Sequence, residues 1–404
     1  MKVAHRPRAP ISAAGGARSS VTRGERSAAL DEMRGLAALA VLVFHAWLYT
    51  RAAPSASARG SLGDYVLHEL RLGLVLFFVL SGLLLWRPWV AAALGQKPAP
   101  RVRRYLVRRG ARLLPAYYLA LAGTVLLLWD AAGTPGVRLP RADELPLFMV
   151  FAQNYADGPL MSLDPPMWTL VVEVSFYLLL VPIGLLAVRL PARYPIQATV
   201  PLALLAFGVG WNVGIAGSGS IVAGKALPAM LPYFAVGMLA ALLLEARELG
   251  GRLSLALGIA GVLLVLADAT WQAVGAASHS GAYAYRIWRD LPAAAGFAAL
   301  LALAATNTGP LASLLRWRPL VALGTISYGL YLWHVPVLLF ARHNDLLPLH
   351  TLPAAALALV VAGALAAFSW RWVEQPALAR AHAVTIRRRS WPTERPEPHP
   401  HHAG

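Results

Sequence analysis

Apolar residues run through this chain in long blocks, and the polar residues between them gather in short stretches rich in Arg, Pro and Gly. Ten blocks, at approximately 29–49, 72–93, 112–130, 167–188, 197–215, 226–245, 253–272, 291–307, 319–341 and 352–373, have the length that crosses a hydrocarbon core about 30 Å thick. Lipid offers the backbone no hydrogen-bond partner, so each block is predicted to be helical. The expected fold is an all-α integral membrane protein with about ten transmembrane helices. These form one domain over residues 29–378, between a flexible basic tail (1–28) and a disordered tail (379–404) that ends in RPEPHPHHAG. There is no internal repeat, and no pair of Gly/Pro-broken spans in two matching halves, the usual mark of an inverted-repeat transporter.

Composition agrees with the pattern. Hydrophobic residues make up 58% of the 404, charged residues only 14%, and the mean hydropathy is +0.56. Those values belong to a membrane class. The absence of cysteine excludes disulfides, thiol catalysis and cysteine-ligated metal, and no other metal site is expected. The first 27 residues lack the apolar core of a signal peptide. The net charge of +17 would suit nucleic acid, but its distribution has a simpler cause. With the N-terminus inside, 27 of the 36 Lys and Arg residues fall on the inner side and nine on the outer side. That asymmetry predicts cytoplasmic N- and C-termini in the cell membrane, with lipids rather than nucleic acid as neighbours.

Ionisable groups at membrane depth are costly and point to function. Three stand out. His45 lies 11 residues beyond Arg34, roughly 16 Å along the helix and about three full turns, so both project from nearly one face. Glu173 enters from the other side by roughly 8 to 9 Å, and His334 lies about 22 Å along the ninth span. All three are expected at one level in the outer half, as a catalytic group of His45, Glu173 and His334. A packed histidine or a buried ion-pair partner is the plainer reading of each.

A second constellation faces inward. RVRRYLVRRGARLLP sets Arg101, Arg104, Arg108 and Arg112 on one helix face, with Arg109 beside them. Guanidinium groups suit phosphate recognition, and such a stripe also anchors a helix to lipid headgroups. In GLVLFFVLSGLLLW, the small residues Gly73, Ser81 and Gly82 are assigned to close helix packing.

Taken in order, these stretches resemble the acyltransferase-3 family of bacterial membrane O-acyltransferases. The resemblance rests on Arg34 and His45 (Arg/Lys, ten residues, His), on FFVLSG at 77–82, and on Arg108, Arg109 and Arg112 in RRGARLLP. It continues in MWTLVVEVSFY, with Trp168, Glu173, Phe176 and Tyr177, in ISYGLYLWHVP, with Tyr328, Tyr331 and His334, and in RWVEQP at 371–376. Thr169 stands where the family usually has Ser and keeps the hydroxyl.

The resemblance implies transfer of an acyl group, commonly acetyl, from cytoplasmic acyl-CoA to a hydroxyl of a sugar, polysaccharide or glycosylated natural product. Acyl-CoA would be a co-substrate, with no permanently bound cofactor. His45 is then expected as general base or acyl carrier, with Glu173 orienting it. Arg34, Arg108, Arg109 and Arg112 would bind the donor. Trp168, Tyr328, Tyr331 and His334 would position the acceptor or support the oxyanion. Some relatives carry an extracellular hydrolase-like domain after the last span, and none is expected here. The competing reading of the same polar groups is a proton-coupled transporter or flippase, with His and Glu as a relay.

Overall fold

The computed structural model describes residues 23–51, 61–246, 250–277, 288–305 and 317–386. Among the described residues there is no strand, and the helices are α1 (Arg23–Tyr49), α2 (Leu62–Glu69), α3 (Gly73–Ala93), α4 (Val102–Leu127), α5 (Leu145–Met149), α6 (Trp168–Arg189), α7 (Tyr194–Ile215), α8 (Ile221–Gly224), α9 (Leu227–Ala246), α10 (Gly251–Ala277), α11 (Leu291–Ala305), α12 (Arg318–His343), α13 (Thr351–Ser369) and α14 (Gln375–Ile386). Eight helical segments are long and apolar enough to cross a membrane. Two of the ten expected spans fall outside that eight. α11 has 15 residues, about 22 Å of helix, which is short of a full core. α1 has the length but carries Asp31, Glu32 and Arg34 in its first half. It also begins at Arg23, inside the expected tail, and α14 carries helix to Ile386, into the segment expected to be disordered. The remainder of both tails lies outside the described residues.

Water drives no helix association inside lipid, so contact depends on close approach. α3 and α9 form the tightest pair. Gly82 of α3 lies against the backbone of Phe234, and Gly237 of α9 against the backbone of Val79, with no room for a side chain at either position. α1 and α12 meet in the same way, Gly35 against Leu320 and Gly324, and Gly324 against Asp31. On α13 the buried stripe Ala354, Ala358, Ala362 and Ala366 lets that helix lie along α12. Large apolar side chains such as Leu178, Phe207, Leu263 and Val360 point outward, as a lipid-facing surface requires.

The bundle has two unlike ends. The start of α1, the arginine stretch of α4 and α14 gather at one, here called the terminal face. Arg87 pairs with Glu245 there at 2.6 Å, and the Arg108 guanidinium donates to His382 at 2.8 Å. Both described ends of the chain therefore share one face of the bundle. At the opposite, loop face, residues 128–167 fold over the bundle. Tyr117 and Tyr118 donate to the carbonyls of Phe148 and Met149, and the Asn154 side-chain amide donates to Trp168 and Lys225 carbonyls. Ion pairs Arg51–Asp64 and Arg71–Asp290 tie the helix ends beneath.

Replacing Gly237 by Val should force α3 from α9 and destabilise the detergent-solubilised protein by about 1–3 kcal/mol, the usual cost of overpacking. Gly214→Ala, at a site on α7 with nothing within 4 Å of the added methyl, should leave the unfolding temperature unchanged or slightly raised. Thermal unfolding of both variants checks the packing.

Candidate active site

His45 and His334 come together. α1 and α12 pack side by side, and the His45 Nδ1 lies 3.0 Å from the His334 Nε2 with ring centroids 4.9 Å apart. The hydrogen bonds around the pair fix where the protons sit. His334 Nδ1 faces the Leu330 carbonyl at 3.2 Å and must donate to it, which leaves Nε2 of the neutral ring as an acceptor. His45 Nδ1 faces two acceptors, that Nε2 and the Val41 carbonyl at 2.9 Å, so it carries the proton. In neutral His45, Nε2 is therefore the atom with the free lone pair. Phe44 and Tyr49 flank the ring, with centroids at 5.0 and 6.2 Å.

Glu173 sits elsewhere. It accepts hydrogen bonds from Tyr177 at 2.5 Å and from Ser81 at 3.2 Å. No hydrogen bond from Glu173 reaches either histidine, so the expected orienting contact to His45 is absent from this arrangement. Instead Glu173 lines a cavity with Arg34, Arg109 and Arg112, opposite Tyr328 and Tyr331. This cavity holds about 780 Å³ of atom-free space, its open mouth included. Three guanidiniums against one carboxylate leave it net positive, even with Arg34 bonded to Asp31 at 2.7 Å.

The cavity leads in two directions. Towards the terminal face it shares Leu85 and Arg109 with a groove of about 1750 Å³ lined by Arg101, Arg103, Arg104 and Arg108. Towards the loop face it reaches Thr169 and Tyr331. Those hydroxyls lie 2.8 Å apart and share the Pro166 carbonyl at 3.0 and 3.2 Å, and the Tyr331 ring lies 5.7 Å from His334. Tyr328 donates to the Leu113 carbonyl at 2.9 Å. Trp168, next to Thr169, meets Phe78 edge-on and carries the Lys225 ammonium on its face at 3.9 Å. Arg109 lies over the Tyr177 ring at 5.6 Å.

Three contributors were not legible as such in the sequence. Ser81, assigned to packing, lines the cavity and holds Glu173, while its neighbour Gly82 packs as expected. Tyr177 lies one turn from Glu173, a spacing at which helical side chains meet. Asp164 precedes Pro165 and is 1% exposed, with both carboxyl oxygens unpartnered. Among the described residues no His/Cys/Asp/Glu cluster could hold a metal ion.

Burial pushes the Asp164 carboxyl well above the usual carboxylate range. A raised folded pKa means the protonated acid is favoured in the native state. Stability is then full below the unfolded value, about 3.9, and falls as pH rises towards the folded value, at about 1.4 kcal/mol per unit. Asp164→Asn should match the wild type below about pH 4 and unfold at a higher temperature at pH 8; a wild type no less stable at pH 8 than the variant would refute this.

Comparisons with known proteins give the family. A family model described as an acyltransferase domain matches residues 27–371. "Putative peptidoglycan O-acetyltransferase YrhL" of Bacillus subtilis (strain 168) is 27% identical over 382 residues, which cover 86% of this chain and 54% of that relative. The chain thus spans about half the length of the curated relative it matches. No solved structure matches it.

Proposed function

Because the chain belongs to the acyltransferase domain family, we propose that it is a multi-pass O-acyltransferase of the cell membrane with both termini in the cytoplasm. It moves an acyl group, acetyl in the first instance, from cytoplasmic acyl-CoA to a hydroxyl of a carbohydrate or a glycosylated natural product. The relative's printed description, a peptidoglycan O-acetyltransferase, favours a glycan among these acceptors. The observation that carries the reading is that the arginine groove at the terminal face adjoins, at Leu85 and Arg109, the cavity bounded by Arg34, Glu173 and Tyr331.

The groove suits the phosphorylated part of the donor. Arg101, Arg104 and Arg108 present guanidiniums that bind phosphate oxygens in pairs, and Arg109 stands where groove and cavity meet. Arg34 and Arg112 guide the donor arm inward, past a Glu173 held still by Tyr177 and Ser81. The thioester end then approaches the histidine pair beyond Tyr331.

At that end the acceptor O–H gives its proton to His45 Nε2 as its oxygen bonds to the thioester carbonyl carbon. The C–S bond breaks as the tetrahedral oxyanion collapses, and the proton on Nε2 goes to the departing thiolate. Nucleophile, proton and leaving group balance with no further reagent. The Nδ1–H bond to His334 orients the ring and spreads the charge of the transient imidazolium, the part expected of a carboxylate in a triad. Trp168, Tyr328 and Tyr331 wall the acceptor and oxyanion region.

In nanodiscs with radiolabelled acetyl-CoA, His45→Ala should lower acceptor-dependent CoA release about 10²- to 10⁴-fold, the range for loss of a general base. Arg109→Ala should raise the KM for acetyl-CoA about tenfold with kcat little changed. A wild-type protein that neither binds nor consumes acetyl-CoA would overturn the reading.

A further inference from the structure

A third cavity opens at the loop face between α7, α8 and α9. It holds about 1090 Å³ of atom-free space and is lined by Asn212, Ser220, Lys225, Tyr233 and Arg289 among others. It backs onto the cavity of Glu173 across a thin aromatic partition. Phe78 lines the Glu173 cavity, and its ring stacks parallel on Tyr233, which lines the third cavity. Trp168 meets the edge of Phe78 and carries Lys225 on its other surface.

One charge in this cavity, the Lys225 ammonium, has no ion pair among the described residues. Lys225 and Arg289 belong to the nine cations on the side that the positive-inside rule depletes. Among the other described cations of that side, Arg138 is exposed to solvent, and four more have partners. Arg51 pairs with Asp64, Arg71 with Asp290 and Glu69, Arg141 with Asp143, and Arg342 donates to the Tyr49 carbonyl. Arg289 leans on Asp290 at 3.5 Å, a carboxylate already committed to Arg71 at 2.8 Å. Lys225 is partly buried, and among the described residues it has no ion pair, only the Trp168 face. An ammonium withdrawn from water is poorly compensated by one aromatic ring, and an anion brought to it restores the balance.

We infer that this cavity is the acceptor subsite, and that it selects acceptors carrying an anionic group, carboxylate or phosphate, near the hydroxyl to be acylated. The inference rests on the acyl-transfer reading and adds the chemical class of the acceptor to it. Lys225 and Arg289 clamp the anion, Asn212 and Ser220 offer polar contacts to the rest of the sugar, and the aromatic partition is the wall past which the hydroxyl meets the donor. Donor and acceptor then enter from opposite faces.

The test uses full-length protein in nanodiscs with acetyl-CoA and three acceptors: a peptidoglycan glycan strand with free carboxylates, the same strand with its carboxylates amidated, and N-acetylglucosamine 1-phosphate. The amidated strand should show a KM about tenfold or more above its charged parent, the loss expected for one charge-assisted contact. Lys225→Met should raise the KM for the charged strand by a similar factor, change the KM for the amidated strand by less than about twofold, and keep kcat within about twofold. Lys225→Arg should restore most of the difference. Preference for the strand or for the sugar phosphate tells carboxylate from phosphate. Equal KM values for charged and amidated strands, or a Lys225→Met effect equal on both, would refute the subsite. Equilibrium binding separates the two layers: if the charged strand binds wild type more tightly than Lys225→Met but no acceptor is acetylated, acyl transfer fails while the anion site stands.

Discussion

Hydrocarbon does not solvate ions, and that constraint organises this molecule. Each charged or strongly polar side chain on a spanning helix must turn towards other helices or towards a water-filled recess. Arg34, Arg109, Arg112 and Glu173 come from three different helices, and all four line one cavity. His45 and His334 solve the same problem by bonding to each other and to carbonyls of their own helices. Polar groups that lipid expels from many helices are thereby concentrated in one place. A chemical site in a membrane protein is partly a by-product of that exclusion, sharpened by the geometry of the helices that carry it.

That geometry rests on small residues. Gly82 and Gly237 bring α3 against α9, and Gly35 and Gly324 bring α1 against α12. The second contact matters most for the histidines, because an imidazole pair 3.0 Å apart on two helices tolerates little change in helix separation. The first sets the position of Leu74, Phe77, Phe78, Ser81 and Leu85, the α3 side chains that face the cavity. Helix packing and site construction are one event here, carried by glycines at close crossings and by functional side chains on the same turns.

Much of this was legible in the sequence, for reasons that can be named. Helical rise alone put His45 and His334 at one depth, and they meet. The i, i+3, i+4 spacing of the arginines put them on one helix face, and they line one groove and its continuation. Helical rise misplaced Glu173, however. Counting from Trp168 as the membrane surface ignored the 128–167 segment folded over the start of α6, and Glu173 lies deeper, in the cavity of Arg34. Glu173 was expected beside His45, yet its side chain turns to Tyr177 and Ser81. Composition could not separate Ser81 from Gly82, since both are small, although only one faces a cavity. Asp164 left no periodic signal because it precedes Pro165 in a loop whose path depends on tertiary contacts, among them the Leu163 amide donating to the Arg138 carbonyl. Apolar character gave α11 a full span; its described helix stops at Ala305.

The partition of Phe78, Tyr233 and Trp168 has a consequence beyond catalysis. Cavities approach it from the two ends of the bundle, and in a membrane an open path between them would leak. A membrane potential is worth about 2.3 kcal/mol per elementary charge for each 100 mV, a constant force on any proton able to hop through a file of water. The Phe78 ring, stacked on Tyr233 and met edge-on by Trp168, offers that file no hydrogen-bonding group. The wall that divides the two cavities is therefore also a barrier to ion leak, so water can enter the bundle from both ends without joining across it.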